Sequence, residues 1–463
     1  MFRVLAFTIL LMPMASFVHA DDPTEISYRG DVWPILKRHC WGCHSSRDAK
    51  GGLSVETVAD MLKGGDSGAL FEAQKADESL LLDMISGDSP EMPKQQPRLS
   101  PAKIEILRRW IAGGAKDDST RGDVERTVQI PETYRFAPAV TSVAFSPDGH
   151  LLAAACRSEV VLISLADEQP PRRLATESDL LSHVEFSSDG QLLAAVGGSP
   201  AHHGEVRFFN PADGSVVASR RAGSDTLFRG GFAPDNKAIA VGGADGAAHI
   251  IPVDWQAEVR SFDLHSDWVL DVAYTPDGHK LVSGGRDKAT KISSVETGEL
   301  LRSVDASNEL ISSVAADGNF AVGAGRGRIP VSYELKIALS NVEVSGTGNA
   351  SRPVSKRNQY AKNFETQPGE IFDLATSHDR ALLAVGGAYG DVRVYKMADR
   401  QRVAVVSGVP NPVYSVALNA DGTRLAVGGK SGQVQVYSLP EGKLLKELVP
   451  VPVAPATDSV TAQ

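Results

Sequence analysis

Beyond residue 126 the chain alternates between short apolar runs and compact polar turns. Seven stretches share one pattern, two strand-length apolar segments joined by a turn: "VAFSPDGHLLAAA", "VEFSSDGQLLAAV", "GGFAPDNKAIAVGG", "VAYTPDGHKLVSGG", "SVAADGNFAVGAG", "LATSHDRALLAVGG" and "VALNADGTRLAVGG". Apolar runs of this length, bounded by such turns, predict β-strands. In the Pro-Asp-Gly form proline presets φ, and Asp-Gly takes the positive φ of a tight hairpin. Ahead of residue 117 the pattern is helical instead. In "SPAKIEILRRWIAGGAK", Ile104, Leu107 and Ile111 share one helical face, with Ser100 at the N-cap, Pro101 at the first helical position and Gly113-Gly114 at the end.

The turn aspartates Asp148, Asp189, Asp235, Asp277, Asp317, Asp379 and Asp421 are spaced 41, 46, 42, 40, 62 and 42 residues apart. A period near 40 with four short strands per unit predicts a propeller, and seven units predict seven blades. These repeats resemble WD repeats. The Trp-Asp pair of that family is missing from every one, and the fourth has Ser293-Ser294 there. That repeat keeps His265, Ser283 and Asp287, and the resemblance implies that the three join in a buried hydrogen-bond network. The predicted fold is multidomain, a small all-α region followed by an all-β seven-bladed propeller over 127–450. A Pro/Ala/Thr-rich tail, 451–463, is expected to be disordered. The ring closes through either "RTVQIPETYRFA" or "KLLKELV", and the sequence leaves that choice open.

Two features interrupt the period. The long fifth interval comes from an insertion at 341–369 carrying Arg352, Lys356, Arg357 and Lys362 in an otherwise acidic chain. It reads either as a docking loop for an acidic partner or as a tolerated surface excursion. The second is His202-His203 in "GGSPAHHGEV", a pair able to bind metal but without an evident third ligand.

Composition narrows the function. With a formal net charge of -10, 42% hydrophobic and 22% charged residues, the chain is of soluble globular type and not a nucleic-acid binder. Residues 1–20, MFRVLAFTILLMPMASFVHA, have a basic head, an apolar stretch and a small-residue end at Ala20, and are expected to be a cleaved signal peptide. The apolar run is short of the ~20 residues of a spanning helix. No later segment reads as a span. The mature chain is expected in the periplasm or otherwise exported, where cysteines meet oxidising conditions.

Two of the three cysteines stand in "LKRHCWGCHSSRD". A structural disulfide, half of a zinc site, a redox dithiol and covalent haem attachment all use Cys-x-x-Cys. A zinc site needs a second ligand pair, which is missing, and the flanks lack the strand–loop–helix setting of a redox dithiol. Haem attachment also explains the histidine: Cys40 and Cys43 form thioethers and His44 is the proximal ligand. The third cysteine, Cys156, sits in an apolar strand and reads as a core thiol. For the sixth ligand the candidates are Met61, Met84 and Met92. Met92, followed by Pro93 in an extended loop, is the expected one, while Met61 and Met84 read as core filler. From Ile26 to about Lys116 the chain resembles the cytochrome c domain of planctomycete exported proteins, in "SYRGDVWPILKRHCWGCH", "GGLSVETVADMLKGGDSGAL", "ESLLLDMI", "MPKQQPRLS" and "ILRRWIAGGA". The resemblance implies one haem c attached at Cys40 and Cys43, with His44 and Met92 axial, in a domain over 21–116. A polar linker, 117–126, follows it.

The function expected from these parts is electron transfer to or from a redox partner protein, with the propeller as docking scaffold. That makes the chain an electron carrier more than a catalyst with its own substrate. The alternatives are an oxidoreductase with a second cofactor in the propeller, and a haem-bearing interaction or sensor protein.

Overall fold

Short helices form where the N-terminal sequence offers an apolar stripe next to a capping residue. The computed structural model describes residues 26–44, 49–55, 57–94, 97–117, 130–304, 308–340 and 361–454. The chain divides into two units, Met1–Val124 and Glu125–Gln463. The expected leader, and all of the expected linker except Asp117, lie outside the described residues.

The first unit contains α1 (Trp33–His39), α2 (Val58–Lys63), α3 (Leu80–Ile85) and α4 (Pro101–Ala112). Thr57 and Ser79 cap α2 and α3, accepting the N–H of Asp60 at 3.0 Å and of Leu82 at 3.3 Å. Each such cap contributes about 1 kcal/mol. Ser100 stands at the N-cap of α4, but its carbonyl and not its hydroxyl receives the helix N–H groups. The buried face of α4 is Leu107, Trp110 and Ile111, and Ile104 lies at its margin. Trp110 shifts the stripe because its ring is held on three sides. It stacks on Tyr28 at 5.4 Å, meets Phe71 edge-on at 5.2 Å, and donates Nε1–H to Lys116 O at 3.0 Å.

The second unit is seven four-stranded antiparallel sheets, each made of four consecutive strands. The inner strands are Val140–Phe145, Leu180–Phe186, Leu227–Phe232, Val269–Tyr274, Ile311–Ala316, Ile371–Thr376 and Val413–Leu418. The chain is therefore a seven-bladed propeller from about residue 130. At the end of each inner strand the turn aspartate accepts the N–H two residues on, in all seven turns. In four of them a hydroxyl two residues earlier, of Ser146, Ser187, Thr275 or Ser377, donates to the same carboxylate. Those hydroxyls hold the four carboxyls below the usual range. The expectation that Asp and Gly both take positive φ is corrected here. Only the following residue does, at Gly149, Gly190, Asn236, Gly278, Arg380 and Gly422, because the carboxylate stays over the turn to accept its N–H.

Adjacent blades are tied by one repeated bond. Ser142, Asp271, Ser313, Asp373 and Ser415 each accept the N–H of Val184, Val314, Leu374, Val416 and Val143 from the next inner strand, at 2.8–3.2 Å. The equivalent position in blade three is Arg229, which has no acceptor. There the N–H of Val272 turns to Asp271 Oδ1, 2.8 Å away, and Arg229 pairs with Asp373.

Closure follows the same rule. "KLLKELV" supplies the outer strand of blade seven, Leu444–Leu448, and among the described residues no early strand joins that sheet. A β-carbon on Gly428 would stand 2.6 Å from Val140 Cγ1, so glycine lets the first and last blades meet. Tyr134 adds a parallel bridge to Val453, with Tyr134 N–H on Pro452 O and Ala454 N–H on Tyr134 O, both 2.8 Å. Residues 451–454 thus belong to the fold. This corrects the expected start of the tail, since backbone pairing and the buried Val451 anchor that segment.

The network expected in repeat four is present. His265 Nδ1 lies 2.7 Å from Asp287 Oδ1 and its Nε2 2.8 Å from Ser283 Oγ, while Lys291 Nζ adds a contact to Asp287 Oδ2 at 2.9 Å. Cys156 is fully buried, as expected of a core thiol. The insertion expected at 341–369 is shorter than that. Ala361–Asn363 is the outer strand of blade five, and Phe364 and Gln367 are buried beyond it. Lys362 is exposed on that strand, and Arg352, Lys356 and Arg357 lie outside the described residues. His203 is a strand residue, opening His203–Phe209 opposite Ser199, and only His202 is on the preceding turn.

Candidate functional site

Helix α1 does not stop cleanly at His39. Cys40 N–H bonds to Leu36 O at 2.8 Å, and Trp41 N–H to the same oxygen at 2.9 Å. Cys43 N–H and His44 N–H then both reach Cys40 O, each at 3.1 Å. The chain therefore makes one more turn past the helix. Residues three and four apart share one face of such a turn, so Cys40, Cys43 and His44 come to one side. Val55 N–H on His44 O, 2.8 Å, and Lys50 N–H on Cys43 O, 3.0 Å, pin the turn from the following segment.

That side faces a cavity of about 450 Å³. Its walls are mostly apolar, with Leu53, Leu70, Leu81 and Ile85, and it lies in the volume range of small-ligand and cofactor sites. Cys40 is half-buried, Cys43 exposed, and both are free thiols. Burial pushes the Cys40 thiol up to about 11, so it is protonated at neutral pH and is no ready thiolate. Among the described residues no group of three or more Cys, His, Asp or Glu side chains is arranged to hold a metal ion.

Two methionines converge on the cavity. Met92 N–H bonds to Met84 O at 2.9 Å, which ties the Met92 loop to the end of α3, and both side chains line the space. Met61 is fully buried among the helices, as expected of core filler. Met84 corrects its expectation: it is half-buried on the cavity wall, because the exposed flank of the short helix α3 turns toward the opening.

Residues 40–96 match the family model described as Planctomycete cytochrome C. Residues 132–163, 256–292 and 400–438 match the WD domain, G-beta repeat. The chain joins a planctomycete-type cytochrome c domain to a WD-repeat propeller. No curated protein matches it in sequence. The first match begins at Cys40 and runs past Met92, so it spans the cavity from one wall to the other. The second includes His265, Ser283 and Asp287, the network described in blade four.

The cavity of this cytochrome c domain fits the group its family implies. The His44 ring lines it, and its Nδ1 is buried with no hydrogen-bond partner. Buried polar atoms are nearly always satisfied, so an orphaned imidazole nitrogen marks a place for a ligand or ion. His39 is a residue that sequence reading missed. It also lines the cavity; its Nε2 lies 2.9 Å from Lys103 Nζ and its Nδ1 is buried without a partner. Burial, then the charges of Lys103 and Arg38, hold the imidazole below its ordinary range. Neutral His39 therefore accepts from the Lys103 ammonium and carries its hydrogen on Nδ1. Nothing in the sequence distinguishes His39 from any charged residue closing a helix, since its contact with Lys103 spans 64 positions.

Proposed function

We propose that the chain is an exported c-type cytochrome with one covalent haem, transferring single electrons, and that the propeller is a scaffold for docking its redox partner. The observation that carries this is the convergence of Cys40, Cys43, His44 and two methionines on one apolar cavity. A bound haem supplies one-electron exchange between Fe(III) and Fe(II). The chain's own residues supply the rest. Cys40 and Cys43 would hold the group through thioethers, and His44 would ligate its iron. Met92 would supply a second iron ligand, and a thioether there would favour Fe(II) relative to a second imidazole. Leu53, Leu70, Leu81 and Ile85 line the cavity and would exclude water from a bound group. Lys50 and Lys94, exposed at the cavity's edge, would offer positive charge to an anionic substituent of the group.

The partner is a protein of the same exported compartment, recognised through the propeller. The test is chemical. Protein made with haem available retains its pigment through acid–acetone extraction, with one iron per chain. The double variant Cys40→Ala, Cys43→Ala loses it. Extractable haem, or stoichiometric zinc, in the wild type overturns the proposal.

A further inference from the structure

The inner strands bring two rings of side chains around the propeller's axis. The first is the ring that ties the blades, at Ser142, His183, Arg229, Asp271, Ser313, Asp373 and Ser415. Its two carboxylates are fully used on N–H groups, Ser313 and Arg229. The second ring lies two residues further along each strand, nearer the aspartate turns. Ala144, Ala273, Ala315, Ala375, Ala417 and Gly231 make six of its places, and the seventh is Glu185. Six small apolar residues thus surround one carboxylate. Glu185 Oε2 accepts the N–H of Phe232 at 2.9 Å, and among the described residues its other oxygen accepts no hydrogen bond.

Arg380 spans the mouth below it. This residue follows Asp379 in the turn of blade six and has φ +57°, at the place where five other turns have glycine and one has asparagine. A left-handed backbone strains an arginine and not a glycine, and retained strain of this kind gathers at functional sites. The guanidinium is held open across the mouth by carbonyls, Tyr274 O at 2.8 Å and Ala316 O at 2.7 Å. Among the described residues no carboxylate comes within ion-pairing distance of it. Burial disfavours its charge and the field of Glu185 favours it. Burial likewise pushes Glu185 up to about 8, with the Phe232 N–H and Arg380 pulling it back.

Glu185 and Arg380 therefore face one cavity of about 520 Å³ without touching, the arginine charged and the glutamate mostly protonated at neutral pH. The half-buried Arg380 guanidinium has no counter-charge among the described residues, which is unfavourable. A simple anion would satisfy Arg380 and leave Glu185 as a neutral acid, and a simple cation would draw the proton from Glu185 but meet a like charge at Arg380. A molecule carrying both charges satisfies both at once. We propose that the propeller channel binds a small zwitterion of amino-acid type, its carboxylate on Arg380 and its ammonium on Glu185.

The experiment is calorimetric titration of the full chain with glycine, β-alanine and 4-aminobutyrate, and with acetate and methylammonium as single-charge probes. At least one zwitterion binds one per chain, at least ten-fold tighter than either single-charge probe. Arg380→Gly weakens that binding at least ten-fold while the melting temperature holds or rises, because glycine is the residue this turn prefers. Glu185→Gln weakens it as much. Undiminished binding in either variant overturns the proposal, as does acetate binding as tightly as the best zwitterion, or no zwitterion binding at all. A marked fall in the melting temperature of Arg380→Gly also overturns it, making the arginine a structural tie between blades.

Discussion

The N–H of Val143 in the first inner strand donates to Ser415 Oγ in the seventh, 3.1 Å away across 272 residues of chain. The same bond joins blade one to two through Ser142, and five to six through Ser313. The ring thus closes by the contact that repeats around it, with Tyr134 and Val453 added outside.

Removing that acceptor strands a buried donor. Ser415→Ala should lower the unfolding free energy by about 1–3 kcal/mol, the cost of one unsatisfied buried N–H. Ser313→Ala should cost a similar amount, and urea unfolding of the isolated variants measures both. If Ser415→Ala unfolds at the wild-type midpoint, the bond contributes nothing to closure.

The two cavity methionines make separable predictions. Met92→Ala should abolish the far-red thioether–iron band of the oxidised haem protein and lower its potential. Met84→Ala should leave the band in place. The reverse pattern assigns the iron to Met84, whose carbonyl already holds the Met92 loop at 2.9 Å.

Asp287 carries a pH signature. Burial pushes its carboxyl up, and the hydrogen bonds from His265 and Lys291 more than reverse this, leaving it well below the usual range. A carboxyl whose folded value lies below its unfolded one stabilises the fold above the unfolded value, about 3.9. That stabilisation is lost as pH falls through the folded value. Asp287→Asn should therefore cost about 1.5–3 kcal/mol at pH 6, the range for hydrogen bonds to a charged group. The gap between variant and wild type should shrink steadily below about pH 4. A gap that stays constant from pH 6 to pH 3 would show that the charge is irrelevant.

Each unit has a buried core of its own, around Leu36, Met61 and Trp110 in the first and between successive blades in the second. Proteolysis between Asp118 and Arg121 should accordingly release a haem-bearing fragment and a β-rich one. Each should keep its circular dichroism and its own melting transition. Loss of both transitions on cleavage would reveal a single cooperative unit.

How much of this was legible in the chain depends on the range of the interaction concerned. Turn aspartates, blade number and the Cys40–His44 cluster are local patterns, decided by residues within a few positions of each other. The sequence alone determined them. The network of His265, Ser283 and Asp287 was expected from the resemblance of the fourth repeat to WD repeats, since the three stand within one repeat. The rest depended on which distant groups the folded chain brings within reach. Met84 looked like core filler because an apolar run says which residues are buried, not which flank of a short helix faces a cavity. Tyr134 and Val453 carry no shared pattern, and only the closed ring brings their backbones together. Glu185 and Arg380 belong to different blades, and each reads alone as an ordinary strand or turn residue. Only tertiary structure put a carboxyl and a guanidinium, neither ion-paired among the described residues, over one cavity, because burial and charge pairing depend on distances in space that sequence spacing does not encode.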